Sequence, residues 1–383
     1  MPRRKKQKEK TSKKGSFKFG RVLLWLLLLF LFLYLIYFLF NVLTVKTVDV
    51  AFEDSASQNL FSRRKNNLEK TLVVIEESVG GRSRIVGVYA YLQNRSKKSE
   101  LLIYLPGGIY YSGLEEKFGN EIPVSSFRYA GDFLQKGKGV EYAVWQMNQL
   151  LGFKSDMYIY LSSDATKVVR EMSGNGEINF EGINGINEFT KALSWHRMFS
   201  SAKQLADLDG KIYSNIPFYT SRLALESLQG NEKKYKRSVL DLSDKKYLKD
   251  GKLLTGEEIK VLNTKEYDKS LDSVLSSVLD RNLENERVRV EVYNGSALSG
   301  VAYSFGRKIT NSGCNVVRYE NAPNVVEKTL VYVPDVESFK TAYSVVSDVI
   351  PVDFDLVEGR PDFMTTGDIV VILGKNIKSM YSF

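Results

Sequence analysis

Three stretches decide the core of this chain: Thr71-Leu72-Val73-Val74-Ile75, Arg84-Ile85-Val86-Gly87-Val88-Tyr89-Ala90-Tyr91-Leu92 and Glu100-Leu101-Leu102-Ile103-Tyr104-Leu105. Each is rich in β-branched and aromatic residues. The polar run at 93–99 separates the second from the third, which reads as a hairpin or as adjacent strands. Pro106-Gly107-Gly108 then breaks the chain.

Downstream lies an irregular stretch, 109–138, that carries Tyr110, Tyr111, Phe118, Phe127, Tyr129 and Phe133. Val140, Ala143, Val144, Met147, Leu150 and Leu151 follow at helical spacing, and Gly152 supplies the stop. Residues 156–161 read as a strand. Ser163-Asp164-Ala165 starts a helix behind a polar N-cap. Strands alternating with helices in this order predict an α/β or α+β core.

Upstream, ten basic residues and one acid occupy the first 21 positions, followed by the apolar run Val22–Phe40. Nineteen residues at a rise of 1.5 Å give about 28 Å of helix, close to a hydrocarbon core of roughly 30 Å. The run is longer than a secretory signal's apolar region and reads as a retained anchor. The flanking Lys and Arg place the N-terminus in the cytoplasm and the rest of the chain outside. Trp25, Tyr34 and Tyr37 are interface anchors by this reading, with apolar filling the alternative for Tyr34.

The chain has 54 Lys and Arg against 45 Asp and Glu, a net charge of +9. Without the tail, 44 of each remain. The basic balance therefore belongs to the tail, and composition gives no basic patch for nucleic acid elsewhere. The tail's expected partner is anionic membrane lipid. Cys314 is the only cysteine and His196 the only histidine. That excludes an intrachain disulfide and starves cysteine-cluster or multi-histidine metal sites. Cys314 reads as buried filler and His196 as structural.

Beyond residue 230 the chain reads as helical and polar. Thr255-Gly256-Glu257-Glu258 fits a capping box. Leu271, Val274, Leu275, Val278 and Leu279 form an apolar stripe for docking on a domain or on another chain, intrachain packing being the default. Residues 287–293 alternate polar and apolar as a half-buried strand, turned by Asn294-Gly295-Ser296. A helix from Gly300 to Asn311, strands at 314–319, 329–333 and 368–373, and a helix at 339–349 complete a β-α-β-β-α-(β)-β unit.

That last unit resembles the C-terminal domain of LytR-type cell-envelope proteins. The residues that carry the likeness are Val290-Glu291-Val292-Tyr293-Asn294-Gly295-Ser296, Ser299-Gly300-Val301-Ala302, Asn311-Ser312-Gly313 and Asp368-Ile369-Val370-Val371-Ile372-Leu373-Gly374. The domain before it resembles a diverged LytR-CpsA-Psr module. Arg82-Ser83-Arg84-Ile85 stands where that family has Arg-Ser-Asp-Thr, and Pro106-Gly107-Gly108 where it has Pro-Arg-Asp. Tyr129-Ala130-Gly131, the 140–152 helix and Asp156-Met157-Tyr158-Ile159 follow in the family's order.

The resemblance implies a domain that binds a polyprenyl pyrophosphate-linked glycan and transfers it to peptidoglycan, with Arg on the pyrophosphate and Asp on a divalent metal. Here Arg84, Gly107 and Gly108 replace the charged positions and Arg82 survives. The first reading is therefore a membrane-anchored extracytoplasmic envelope protein with a degenerate site. It binds wall polymer, lipid-linked glycan or an envelope protein partner. The alternative is an active transferase using relocated groups, with Arg82, Arg84, Arg128 and Asp132 as candidates. Ligand-binding candidates are Arg82, Gly107, Gly108, Tyr110, Tyr111 and Arg128, with Arg197 a further possible substitute for a lost arginine. No cofactor or metal site is assigned, and Mg²⁺ is expected only under the transferase alternative.

The expected organisation is a basic tail at 1–21, a transmembrane helix at 22–43 and a stalk at 44–70. The diverged module then occupies 71–230, a helical connector 231–285 and the C-terminal α/β domain 286–383.

Overall fold

The computed structural model describes residues 16–50, 68–111, 122–174, 178–228, 234–279 and 281–381. The antiparallel pair Leu68–Val79 and Arg82–Asn94 is its centre, turning through Gly80 and Gly81, which both take positive φ. Five further strands extend the pair into a seven-stranded mixed sheet. Its order is Thr47–Val48, Ile212–Ser214, Met157–Leu161, Leu68–Val79, Arg82–Asn94, Ser99–Pro106 and Lys236–Asp241.

The sheet has no wet face at its centre. Val73, Ile75, Tyr89 and Tyr91 project into one core, shared with the helices Ser163–Met172, Gly185–Ala192 and Phe218–Leu228. Leu72, Val74, Val88 and Ala90 project into the other, shared with Phe127–Leu134, Gly139–Leu151 and Thr264–Leu275. Period-two alternation with both sets apolar demands cover on both sides. The fold is α/β in the mixed sense expected.

A helix at Ser16–Thr44 carries the apolar run, and its Gly20–Thr44 portion is long and apolar enough to cross a membrane. Its C-terminal turns are docked. Phe38, Val42 and Val45 are buried in the first core, and Asn41 Nδ2 donates to the Ala202 carbonyl at 2.8 Å. Tyr34 is more than apolar filling, because its hydroxyl donates to the Phe199 carbonyl at 2.5 Å. Thr47–Val48 pairs in parallel with Ile212–Ser214, and Val50 N donates to the Tyr158 hydroxyl at 2.8 Å. The expected stalk is corrected accordingly. Residues 44–50 belong to the domain, 51–67 lie outside the described residues, and the sheet resumes at Leu68 rather than Thr71.

The connector also differs from expectation. Lys236–Asp241 is an edge strand of the main sheet, so that domain continues past residue 230. Leu248–Lys252 and Glu258–Leu262 form a hairpin, and Thr255-Gly256 sits in its turn, with Gly256 at φ +90°. A Thr-x-x-Glu spacing fits a turn as well as a capping box. The period-two burial of Ile259 and Val261 decides for the strand. The helix starts later, at Thr264, where the Asn263 side chain accepts from Glu266 N at 3.5 Å. Its stripe packs within the chain: Leu271, Leu275 and Val278 are buried in the second core.

The C-terminal unit is a five-stranded sheet ordered Asn315–Asn321, Arg289–Asn294, Ile369–Leu373, Thr329–Val333 and Phe354–Glu358. The helices Val301–Asn311 and Lys340–Val349 share its core. It is clamped to the main domain through Arg307, whose guanidinium donates to both Asp268 oxygens (2.7 and 2.8 Å) and to the Gln149 and Leu150 carbonyls. Gly152 lies against this clamp. With φ +70°, it is the left-handed stop of the 139–151 helix, and an added Cβ there would meet Asn311 and Arg307.

Lys308 is buried beside the clamp. Burial, reinforced by the charges of Lys154 and Arg307, lowers its ammonium to about 7. An unfolded lysine titrates near 10.4, so between these values the unfolded chain holds a proton that the folded chain does not. Folding stability is therefore expected to rise as pH increases through that window. Denaturant titrations across it should show the rise in the wild type and a flatter profile in Lys308→Met.

Candidate functional site

The strands Leu68–Val79 and Met157–Leu161 run parallel, and beyond their carboxyl ends a polar cleft of about 590 Å³ opens. Open sheets commonly bind ligands at such ends, where loops and helix starts converge. Glu77, Ser78 and Ser83 line one side, and Arg128 comes from the opposite helical layer. Ser162, Ser163, Asp164, Thr166, Lys167 and Arg170 come from the start of the Ser163–Met172 helix, while Lys211 and Tyr213 complete the wall.

Glu76 lies at the base of this region with its side chain 1% exposed. A shift of register between Ile75 and Glu76 interrupts the ladder there and delivers the carboxylate toward the helix carrying Arg128. Arg128 Nη1 donates to Glu76 Oε2 at 2.5 Å, and Ser163 N donates to the same oxygen at 3.3 Å. Burial pushes the Glu76 carboxyl above its ordinary range, against the pull of Arg128. Burial opposes the Arg128 charge, and the Glu76 carboxylate more than restores it.

Glu77 is paired with Arg170, which also donates to the Ile178 carbonyl and lies over the Phe180 ring. Ser162 caps its helix by accepting from Ala165 N at 3.2 Å, and Ser163 Oγ meets Ser83 Oγ at 2.7 Å. The cleft is therefore lined by four cationic residues, several hydroxyl residues and the positive end of a ten-residue helix, against two carboxylates, Asp164 and the Arg170-held Glu77, with the Arg128-held Glu76 beneath. That chemistry suits an anion.

The sequence candidates do not converge here. Only Arg128 lines the cleft. Arg82 and Arg84 are exposed on either side of Ser83, and neither is among the lining residues. Asp132 accepts from Gly137 N and Gly139 N at 3.2 and 3.0 Å and so braces the start of the next helix.

Gly107 is buried against Ile85, where a Cβ would collide with the backbone. Gly108 is exposed with open space around it. Gly107 is thus a packing requirement. Tyr110 and Tyr111 form a short strand beside Val261, and the nearby charges acting on Tyr111 are Arg307 and Asp268 of the interdomain clamp. Phe118 lies outside the described residues. Arg197 lines a separate cleft of about 330 Å³ with Arg222 and Lys191. Cys314 is buried, and burial pushes its thiol up to about 12.

Sequence reasoning missed Glu76, Glu77, Lys167, Arg170 and Lys211. One signal was available: Asp164, Lys167 and Arg170 recur at three-residue spacing behind the Ser162–Ser163 cap, which puts them on neighbouring faces of one helix start.

Residues 287–376 match the family model described as "LytR cell envelope-related transcriptional attenuator". No curated protein sequence matches the chain. Among solved structures, one titled "TagT bound to LI-WTA" has 11% identity and a TM-score of 0.39, covering 61% of this chain and 99% of that one. A LytR-CPS2A-psr family protein, YwtF (TagT), with bound octaprenyl pyrophosphate lipid has 12% identity and a TM-score of 0.37, with coverages of 61% and 99%. B. subtilis TagV has 13% identity and a TM-score of 0.36, with coverages of 56% and 98%.

The Arg128–Glu76 pair yields a stability prediction. Arg128→Met should destabilise by about 3–5 kcal/mol, because it strands a buried carboxylate. Adding Glu76→Gln should recover part of that loss, as read by urea unfolding of the single and double variants.

Proposed function

We propose that this chain is a cell-envelope protein anchored by its N-terminal helix, with the N-terminus cytoplasmic and the two α/β domains outside. Its polar cleft binds the phosphate groups of a lipid-linked glycan without turning the glycan over. The observation that carries this reading is the convergence of Arg128, Lys167, Arg170 and Lys211 on one helix start. Cations gathered at the positive end of a helix suit a doubly charged phosphate ester. The match of residues 287–376 to an envelope-related family model supports the setting, and the apolar helix supports the anchoring.

Binding without turnover is favoured by the state of the carboxylates. A divalent metal needs several oxygen donors, yet Glu76 is held by Arg128 and Glu77 by Arg170. Among the described residues, no group of three His, Cys, Asp or Glu is placed to hold a metal ion. On this reading the cleft takes its anion without a metal, Asp164 being the one lining carboxylate not held by an arginine in a salt bridge. Wall polymer or an envelope protein is a further partner on this reading, engaged through the C-terminal domain. The transferase alternative draws on Glu76, the buried carboxyl that lies beneath the cleft against Arg128.

The test is titration of the full chain in detergent with undecaprenyl pyrophosphate and with a glycan-bearing form. Lys167→Glu and Lys211→Glu should each weaken binding by about tenfold or more, the worth of one charge-assisted contact. Unchanged affinity in both variants sinks the assignment of this cleft. With peptidoglycan added as acceptor, transfer of the glycan phosphate to its hydroxyl with release of prenyl phosphate, lost in Glu76→Gln, selects the transferase alternative.

A further inference from the structure

The docked end of the anchor helix constrains where the domain sits. Spanning a hydrocarbon core of roughly 30 Å takes about 20 helical residues, and the uncharged run from Val22 supplies them only if it continues to Phe40 or Asn41. Yet the turns from Tyr34 to Val45 are the ones covered by the domain. Tyr34 and Phe38 meet the Phe199 ring at 4.9 and 5.3 Å, and Phe38 meets Trp195 at 6.0 Å. If those turns stood clear of the bilayer, only Val22–Leu33 would remain, about 18 Å of helix and too short to cross. Arg21 and Lys18 block compensation from the other end.

Whatever covers Tyr34 and Phe38 therefore shares their depth. The aromatic contacts continue outward: Trp195 meets Tyr219 at 6.2 Å and carries the Arg222 guanidinium on its face at 4.2 Å. Trp195, Tyr219 and Leu223 are each about 40% exposed (39, 43 and 42%), an apolar surface continuous with the anchor. Tyr219 and Leu223 lie one turn apart on the same helix. Arg197, which lines a cleft with Arg222, and the exposed Lys203 belong to the segments that dock the anchor. Trp and Tyr next to basic side chains form the composition that settles at the bilayer interface.

We propose that the face formed by Trp195, Phe199, Tyr219 and Leu223 is embedded in the interface of the outer leaflet, with Arg197 and Lys203 on lipid phosphates. The domain is then seated on the bilayer in one fixed orientation. The proposal rests on reading the N-terminal helix as a membrane anchor and is independent of the ligand assigned to the cleft.

The test places a cysteine at Leu223, and in a second protein at Tyr219, in the full chain reconstituted into phosphatidylcholine–phosphatidylglycerol vesicles. The native Cys314 is buried with its thiol pushed up to about 12, so an environment-sensitive fluorophore labels the introduced site. Leu254→Cys, at a fully exposed hairpin turn, is the aqueous control. The expected result is blue-shifted emission at 219 and 223 and quenching by about half with nitroxide-bearing lipid, with no such change at 254. Emission at 219 and 223 matching 254 overturns the proposal. So does a label shielded from lipid and aqueous quenchers alike, which would indicate a second copy or another protein on this face. Carbonate extraction of the same vesicles reports separately on the anchor: protein that stays in the membrane while its labels read water refutes the seating alone.

Discussion

The central strand pair has no polar face, and the rest of the molecule answers to that constraint. Leu72 and Val74 alternate with Val73 and Ile75, and all four are buried. A sheet with one wet face could have stopped at a hairpin layer. This one needs helices above and below, and each buried side chain contributes on the order of 1.5–3 kcal/mol only once that cover is complete. The end of the N-terminal helix, the connector helix and the helices between strands are all recruited into the two layers. Even the interdomain clamp stands on this arrangement, because Gln149 and Leu150, which accept from Arg307, end a covering helix.

The candidate site lies where that cover runs out. The ladder slips after Ile75, a carboxylate takes the next buried position, and an arginine from one layer and a helix start from the other close over it. The Glu76–Arg128 pair thus ties both helical layers to the sheet at one point. Polar groups gather there because the backbone ends of strand and helix need partners. The hydroxyls and cations gathered there, beside the positive end of the helix, are what an anion would use.

Local signals were legible wherever short-range chemistry decides. The Gly152 stop, the polar cap before Ala165 and the period-two strands could all be read from spacing, because each depends on residues within one or two turns. Signals with two physical meanings misled. Thr255 and Glu258 have capping-box spacing, but a glycine at φ +90° inside it makes a hairpin turn. Arg82 looked functional by position in a family pattern, while its neighbour Ser83 is the one that reaches the cleft. The cleft itself draws on segments from 77 to 213, and no window of sequence contains it. The docking of the N-terminal helix was equally hidden. Phe38 and Val42 are as apolar as the exposed Leu39 and Leu43 beside them, and only the partner surface separates the two sets.

That docking also sets a timetable. Thr47 pairs with Ile212, so the strand that follows the N-terminal helix waits for a partner made 165 residues later. At roughly 5–20 residues per second, the delay is about 8–33 seconds. During it, the socket of Phe38, Val42 and Val45 is incomplete, and the central sheet lacks the strands that join it to this helix. The Ser16–Thr44 helix, made before the sheet, is thus among the last elements to be locked onto it. A premature stop before Ile212 would leave that helix without its strand contact and the domain unable to close around it.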